Sequence, residues 1–256
     1  YQKGLEFART RNDQAGEIQI LDNMGRLQKD LGETDTAVAT YQEVLSLAKA
    51  SGRPELEQEA LEKIGQFYRD NGQTDEALAI YNQLLDRATT ANDSAAELAA
   101  LDNMARIQRD AGNLNETLKI YQTVLERTQA ADDQTLVQQT QVNLAKTNKQ
   151  LGNYAEATTL YEALLAGARD QNDHAQEANF MLELGEIGKV SGNYTDVLDR
   201  FNQALKILEE RDDTAAVATV RQAIGDTYRE LGQFDQALPY YRTALTIQQD
   251  SDNVAA

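Results

Sequence analysis

The sequence repeats itself at an interval of forty residues. Glycine recurs at this interval at Gly32, Gly72, Gly112, Gly152, Gly192 and Gly232. Nine residues after each glycine lies an aromatic residue, and the aromatic column is Tyr41, Tyr81, Tyr121, Tyr161, Phe201 and Tyr241. Four residues further on lies a leucine column: Leu45, Leu85, Leu125, Leu165, Leu205 and Leu245. Such periodicity is typical of chains that stack small equivalent units instead of folding around one large core.

Each period predicts two helices. Over residues 57–70, small and apolar residues recur at helical spacing, which predicts a first helix that ends at Gly72 because glycine readily adopts a positive φ. A second amphipathic helix is predicted over residues 75–90. The small residue at Gly65 is expected to let the two helices approach closely, and Tyr81 is expected to fill the space toward the next unit.

Composition limits the possible functions. The chain has 42 acidic and 24 basic residues, a formal charge of −18 that would repel nucleic-acid phosphates and anionic lipid headgroups. We therefore expect no nucleic-acid binding. We also expect no membrane insertion, because no apolar run approaches the roughly 18 to 20 residues of a membrane span. The chain has no cysteine, so it has no disulfides and no cysteine nucleophile. A soluble segment is expected, with the cytoplasm slightly favoured.

The order of small, aromatic and glycine positions resembles the tetratricopeptide repeat, as in Leu61, Ile64, Gly65, Tyr68, Gly72, Ala77 and Tyr81. The resemblance covers essentially the whole chain and implies an all-α fold, a right-handed α-solenoid of about six complete helix-turn-helix repeats. The usual unit has about 34 residues, so these helices are longer, as in kinesin-light-chain-like and many cyanobacterial arrays. The proline that usually closes the unit is missing, which affects the expected angle between repeats.

The repeat register divides the chain into units. We expect residues 1–13 to be the second helix of a preceding repeat, and residues 254–256 to begin a further repeat or form a tail. The complete repeats are predicted at 14–53, 54–93, 94–133, 134–173, 174–213 and 214–253. Because Tyr1 falls in the column of Tyr41, we expect the chain to be a segment of a longer protein.

A polar pair closes most units. The pairs are Asn12-Asp13, Asn92-Asp93, Asp132-Asp133, Asn172-Asp173, Asp212-Asp213 and Asp252-Asn253. Their side chains are predicted to cap the following helix, because a side-chain oxygen can accept hydrogen bonds from the free amides at a helix start. Ser94 and Glu97 also have the spacing of a capping box.

The resemblance implies that the first helices line a concave groove that receives an extended or helical peptide. One column of these helices is basic in every unit and comprises Lys29, Arg69, Arg109, Lys149, Lys189 and Arg229. One hypothesis makes this basic column the binding surface for an acidic peptide. The alternative is structural, because each cation lies in the last turn of its helix, where it complements the helix dipole.

Two further columns complete the predicted groove. One holds Arg26, Gln66, Arg106 and Lys146, and changes sign at Glu186 and Asp226. The other holds Asn23, Lys63, Asn103 and Asn143, where an amide could bind a peptide main chain or serve only as exposed polar surface. The carboxylate clamp of chaperone-binding family members needs lysine where this chain has Asp22, Glu62 and Asp102, so that function is not expected.

We therefore predict a non-catalytic protein–protein interaction scaffold that binds a peptide or helical segment of another protein. His174 is the only histidine, and no nucleophile constellation or phosphate-binding loop is present, so no catalytic residue, metal or cofactor is expected. Two narrower alternatives remain open: an assembly factor for a photosynthetic complex in a cyanobacterium, and a regulatory module of a larger multidomain protein. Self-association through the terminal repeats is a further option.

Overall fold

The computed structural model describes residues 1–254, with side chains described for residues 1–250. This part of the chain is all-α and has no strand, which confirms the predicted fold class. The helices are α1 (Gln2–Thr10), α2 (Gln14–Asp30), α3 (Thr34–Ala50), α4 (Pro54–Asp70), α5 (Thr74–Ala91), α6 (Ser94–Asp110), α7 (Leu114–Ala130), α8 (Gln134–Leu151), α9 (Tyr154–Asp170), α10 (His174–Ser191), α11 (Tyr194–Glu210), α12 (Thr214–Glu230) and α13 (Phe234–Val254).

The helices belong to two compact units. The first unit ends at Arg127 and the second begins at Thr128, so that the boundary lies within α7. Consecutive helices pack against each other from α1 to α6 in the first unit and from α8 to α13 in the second. Each unit is therefore a stack of helical hairpins, which is the α-solenoid architecture.

The turn inside each repeat depends on the recurring glycine. Gly72 has a φ of +69°, in the left-handed region that glycine enters without steric cost. Its amide donates to the Arg69 carbonyl over 2.9 Å, and the next amide, at Gln73, donates to the Tyr68 carbonyl over 2.8 Å. These bonds satisfy carbonyls at the end of α4 and confirm the predicted end of the first helix.

The turn between repeats uses the polar pair. The first residue of the pair has a positive φ at Asn12, Asn92, Asp132, Asn172 and Asp212. The second residue caps the next helix at Asp13, Asp93, Asp133, Asp173 and Asp213. The predicted capping is thus confirmed at these turns, but the predicted capping box at Ser94 is wrong. Asp93 is the N-cap, and it accepts the amide of Ala96, so Ser94 is already helical.

The last predicted polar pair, Asp252-Asn253, does not form a turn. Helix α13 continues to Val254, through Asp252 and Asn253, where a turn was expected. Residues 255 and 256, predicted to belong to a further repeat or tail, lie outside the described residues.

The core of each repeat is an aromatic ring packed on a small residue. A Cβ built at Gly65 would lie 3.0 Å from Cε2 of Tyr81, so the ring occupies the space that a larger side chain would need. Tyr81 also packs with Ala100 and Ile107 of the following repeat. The prediction that this side chain fills the space toward the next unit is confirmed, and the small residue is what allows the ring to do so.

Candidate functional site

The basic column connects successive repeats. The Lys29 ammonium lies 3.6 Å from the carboxylate of Asp70 in the next repeat. Arg69 donates to the side-chain oxygen of Asn103 over 2.9 Å, and Lys149 donates to Glu183 over 2.7 Å. Each partner lies in the first helix of the following unit. Much of this column is therefore engaged within the array.

Other contacts of the basic column are local. Arg109 pairs with the adjacent Asp110 over 3.2 Å. The Lys189 ammonium lies 5.5 Å from the ring centroid of Phe201, a cation–π distance. Arg229 lies 3.4 Å from Asp226 and is exposed. These contacts give the column a structural role beyond helix-dipole compensation.

A column of glutamates, which the sequence interpretation missed, lies in the first turns of the first helices. It comprises Glu17, Glu57, Glu97 and Glu177, and their partners are Arg9, Arg87, Arg127 and Arg169. The hydrogen bond from Arg127 is the main cause that lowers the pKa of Glu97. The signal was present, since an acid recurs four residues after the N-cap position in these four repeats. This column joins a second helix to a first helix and is structural.

Four of the predicted groove residues line one cavity in the first unit. Gln66 and Arg69 of α4, with Asn103 and Arg106 of α6, line a volume of about 730 Å³, which we call the α4–α6 cavity. Pro54 of α4 contributes to its apolar lining, and the aliphatic residues from α5 and α6 are Leu84, Ala88, Ala91, Ala96, Ala99 and Ala100. Volumes of this size are typical of pockets that bind ligands.

The charges around the α4–α6 cavity are balanced, in contrast to the acidic chain as a whole. Its arginines are Arg69, Arg87 and Arg106, and its acids are Glu55, Glu62 and Asp93. Arg87 is paired with Glu57 over 2.7 Å, and Glu62 accepts a hydrogen bond from Gln58 over 2.9 Å. Arg106 is exposed and has no ion-pair partner among residues 1–250. Its guanidinium is therefore available to a ligand.

An equivalent cavity lies one repeat earlier and is smaller. This α2–α4 cavity has a volume of about 250 Å³ and is lined in part by Tyr41 and Lys63. Lys63 forms ion pairs with Asp22 and Glu59, and its ammonium lies 5.2 Å from the Tyr41 ring centroid. Lys63 is therefore a structural bridge more than a free groove residue.

The remaining predicted groove residues are not gathered at the α4–α6 cavity. Asn23 is half-buried, and Arg26 is exposed and lies 3.5 Å from the Asp22 carboxylate. In the second unit, Asn143 is half-buried and Lys146 is exposed.

Within residues 1–254, no cluster of three or more histidine, cysteine, aspartate or glutamate side chains could hold a metal ion. None of the helices in the described part combines the length and the apolar character that crossing a membrane requires.

Comparison with known proteins identifies the repeat. Sequence profiles of the tetratricopeptide repeat match residues 56–130, 136–210 and 176–250, and a further profile of the same repeat matches residues 20–55. No curated protein matches the sequence.

Solved structures share the fold at low identity. BtubC (BKLC) from P. vanneervenii has a TM-score of 0.69 at 18% identity, over 86% of this chain and 92% of its own. A signal transduction ATPase with numerous domains and a tetratricopeptide repeat sensor, from Pyrococcus horikoshii, has a TM-score of 0.73 at 14% identity, over 96% of this chain and 38% of its own. A Rap protein complexed with competence and sporulation factor has a TM-score of 0.51 at 15% identity, over 92% of this chain and 76% of its own.

These matches agree with the helical-hairpin stacks and the forty-residue register. The profiles that match name no catalytic family, and the fold they describe is generally an interaction scaffold. Because the profiles cover residues 20–130 and 136–250, the chain belongs to the tetratricopeptide repeat family.

Proposed function

We propose that this protein is a non-catalytic scaffold that holds an extended or helical segment of another protein along the first helices of its first unit. One observation carries the proposal: Gln66, Arg69, Asn103 and Arg106, predicted from separate repeats, line the same cavity. A neighbour in fold, the Rap protein, was solved in complex with a factor that it binds, which supports a binding role for this architecture.

The cavity tolerates a negatively charged partner segment better than the rest of the chain does. The chain as a whole would repel such a segment, since its formal charge is −18. The α4–α6 cavity is an exception, because its arginines offset its acids and Arg106 has no ion-pair partner within residues 1–250. Local complementarity of this kind selects a binding orientation and speeds association more than it adds to affinity.

Charge reversal at the cavity tests the proposal. Arg106→Glu combined with Gln66→Glu should abolish capture of the partner from a lysate of the source organism, while helicity measured by circular dichroism stays unchanged. Both side chains are exposed, so the substitutions remove no core contact. Charge reversal at Arg69 is less informative, because Arg69 also donates a hydrogen bond to the side chain of Asn103.

Arg242→Glu is the matched control, since Arg242 is an exposed arginine on α13, far along the chain from the cavity. Mass spectrometry of the captured proteins should show the same partners for wild type and control. Partners retained by the Gln66→Glu/Arg106→Glu variant would contradict a binding surface at this cavity.

A second candidate is a regulatory module of a larger protein. The neighbour from Pyrococcus horikoshii carries its tetratricopeptide repeats as a sensor within a multidomain ATPase, and this chain spans 38% of it. The full-length gene tests this candidate, since a second domain would be visible in its sequence. The narrower hypothesis of a photosynthetic assembly factor predicts that captured partners are subunits of that complex.

A further inference from the structure

A pocket in the second unit lies between two second helices. It has a volume of about 420 Å³ and is lined by residues of α9, α10 and α11, and we call it the Gly188 pocket. Its apolar lining includes Leu184, Ile187, Val190 and Val197. The α4–α6 cavity lies instead between two first helices, so the Gly188 pocket belongs to a different surface of the repeat.

Glycine is unusual at the position of Gly188. The equivalent residues of the six repeats are Gln28, Tyr68, Gln108, Asn148, Gly188 and Tyr228. Gly188 is the only one of them without a side chain. It lines the pocket together with Arg200 of α11.

In other repeats a tyrosine ring occupies the equivalent space. The ring centroid of Tyr228 lies 5.7 Å from that of Tyr240, and Tyr240 is the residue forty positions after Arg200. In the second repeat the equivalent residues, Tyr68 and Ile80, pack against the same core cluster. The Gly188 pocket is therefore a space from which a tyrosine ring is missing, and its shape suits an aromatic side chain.

The residue that packs against Gly188 also differs from its equivalents. A Cβ built at Gly188 would lie 2.9 Å from Cγ2 of Val197. The two repeats that have a tyrosine in place of Gly188 have the smaller Ala77 and Ala237 in place of Val197. Because valine exceeds alanine by only two methyl groups, Val197 fills a small part of the space of the missing ring, and the pocket remains.

The unpaired charge at the pocket is negative. Asp196 and Arg200 are the charged residues that line it. Arg200 donates to Glu162 over 2.7 Å, whereas Asp196 is exposed and has no ion-pair partner among residues 1–250. A cation next to the bound ring would therefore be complementary, in a chain whose formal charge is −18.

Two residues of the lining favour an aromatic ring over an aliphatic side chain. Tyr154 is 38% exposed and offers its own ring for an offset-stacked or edge-to-face contact. The guanidinium of Arg200 can lie over a ring face while it keeps its bond to Glu162.

We propose that the Gly188 pocket binds an aromatic side chain of another protein, and that a lysine or arginine beside this aromatic residue pairs with Asp196. The bound ring takes the place that the Tyr228 ring has in the following repeat. This site goes beyond the proposed function, because it lies in the other unit and between second helices. One of the two sites can therefore be wrong while the other stands.

Selection of random peptides displayed on phage against the 256-residue chain tests the pocket. The wild type should enrich peptides in which phenylalanine, tyrosine or tryptophan is next to lysine or arginine. The variant Gly188→Tyr/Val197→Ala, which has the residues found at Tyr228 and Ala237, should fill the pocket. It should bind the enriched peptides at least roughly tenfold more weakly, because their ring is no longer buried.

Urea unfolding followed by circular dichroism checks the filled variant itself. Its midpoint should be equal to or higher than that of the wild type, since the new ring enters a space of its own size; a lower midpoint would contradict the proposed fit. Asn202→Tyr is the matched control, because it adds the same ring at an exposed position of α11 that does not line the pocket. It should bind the enriched peptides as the wild type does.

A third variant tests the charge separately from the ring. Asp196→Gln has the residue found at Gln236 and removes the unpaired carboxylate. Selection against it should still enrich an aromatic residue but should lose the neighbouring lysine or arginine. Retention of that basic preference would overturn the pairing with Asp196.

The outcomes also separate this pocket from the α4–α6 cavity. Peptides enriched by the wild type should bind the Gln66→Glu/Arg106→Glu variant unchanged, and loss of binding there would overturn the Gly188 pocket as their site. The proposal also fails if the wild type enriches no aromatic–basic pair, or if the filled variant binds such peptides as tightly as the wild type. Loss in the filled variant alone supports it.

Discussion

At the scale of single residues, the fit between an aromatic ring and a small residue limits what each repeat tolerates. Gly25, Gly65, Gly185 and Gly225 lie beneath such rings. Two repeats have alanine at this position, at Ala105 and Ala145. A methyl group therefore fits in those repeats, where the neighbouring ring leaves room for it. The small residue at Gly65 was predicted from the repeat spacing alone, but the distance between the ring and the backbone was not, because it depends on packing.

Gly185→Ala should destabilise the protein. A Cβ at this position would overlap the Phe201 ring, and overpacking of this kind costs about 1 to 3 kcal/mol. The control is Gly167→Ala in α9, where a Cβ meets no atom within 4 Å and should stabilise by about 0.5 to 1 kcal/mol. Urea unfolding followed by circular dichroism measures both, and equal shifts in the midpoint would refute the steric argument.

The N-cap at Asp173 should make the free energy of unfolding depend on pH. Hydrogen bonds from the backbone and side chain of Gln176 lower the pKa of Asp173, so folding favours its charged form. This contribution is complete above about pH 4 and is lost as the pH falls through the lowered folded pKa.

Asp173→Ala should therefore cost about 1 kcal/mol at pH 7 and less at low pH. Unfolding by urea at a series of pH values gives the difference from wild type. Asp173→Asn is the control, since it retains a cap that does not titrate, and a pH-independent loss in Asp173→Ala would contradict the prediction.

At the scale of helices, the two kinds of turn explain why the element boundaries were predictable. Gly72 and Asn92 both adopt a positive φ, and these residue types tolerate that conformation best. The identity of the cap was harder to predict, because Asp93 and Ser94 are both good caps and only the backbone decides between them. The glutamates paired between helices were missed because their arginines lie on the neighbouring helix, at a spacing along the chain that differs from pair to pair.

Helix α13 has a proline in its interior and should gain stability without it. Pro239 has no amide to donate to the carbonyl of Asp235, and it is exposed, so its ring has little packing to lose. Pro239→Ala should stabilise by roughly 1 to 3 kcal/mol, since the missing hydrogen bond is restored. Pro54→Ala is the control, because Pro54 is in the first turn of α4, where a proline costs little. A lower unfolding midpoint for Pro239→Ala would contradict this account.

At the scale of the whole molecule, periodicity predicted the fold class and the helices, because equivalent spacing requires equivalent packing. The candidate site was predicted only in part. Gln66, Arg69, Asn103 and Arg106 were named from their columns, but the same reasoning also included Lys63, which bridges two acids. Column position predicts which face a side chain occupies, whereas its availability depends on partners contributed by neighbouring repeats.

The exposed apolar residues of α13 lead us to expect self-association. Leu238 and Leu245 are 47% and 54% exposed, while Leu205 in the same column as Leu245 is 8% exposed. Light scattering should show that the molecular mass of the wild type rises with protein concentration. The double variant Leu238→Glu/Leu245→Glu should keep the mass of a monomer at all concentrations, because it removes the exposed apolar area. Thr246→Glu is the control on the same helix. A wild type that stays monomeric at all concentrations would rule this out.

The crevice that recurs as the α2–α4 and α4–α6 cavities has an evolutionary consequence. Each crevice is built from only two successive hairpins, so a mutation there changes the size and charge of one crevice and leaves its counterparts elsewhere unchanged. Leu56 and Glu59 line the smaller crevice, and the equivalent Ala96 and Ala99 line the larger one. Under the proposed scaffold function, such an array can acquire new binding preferences one crevice at a time, while the columns that maintain its fold stay under separate constraint.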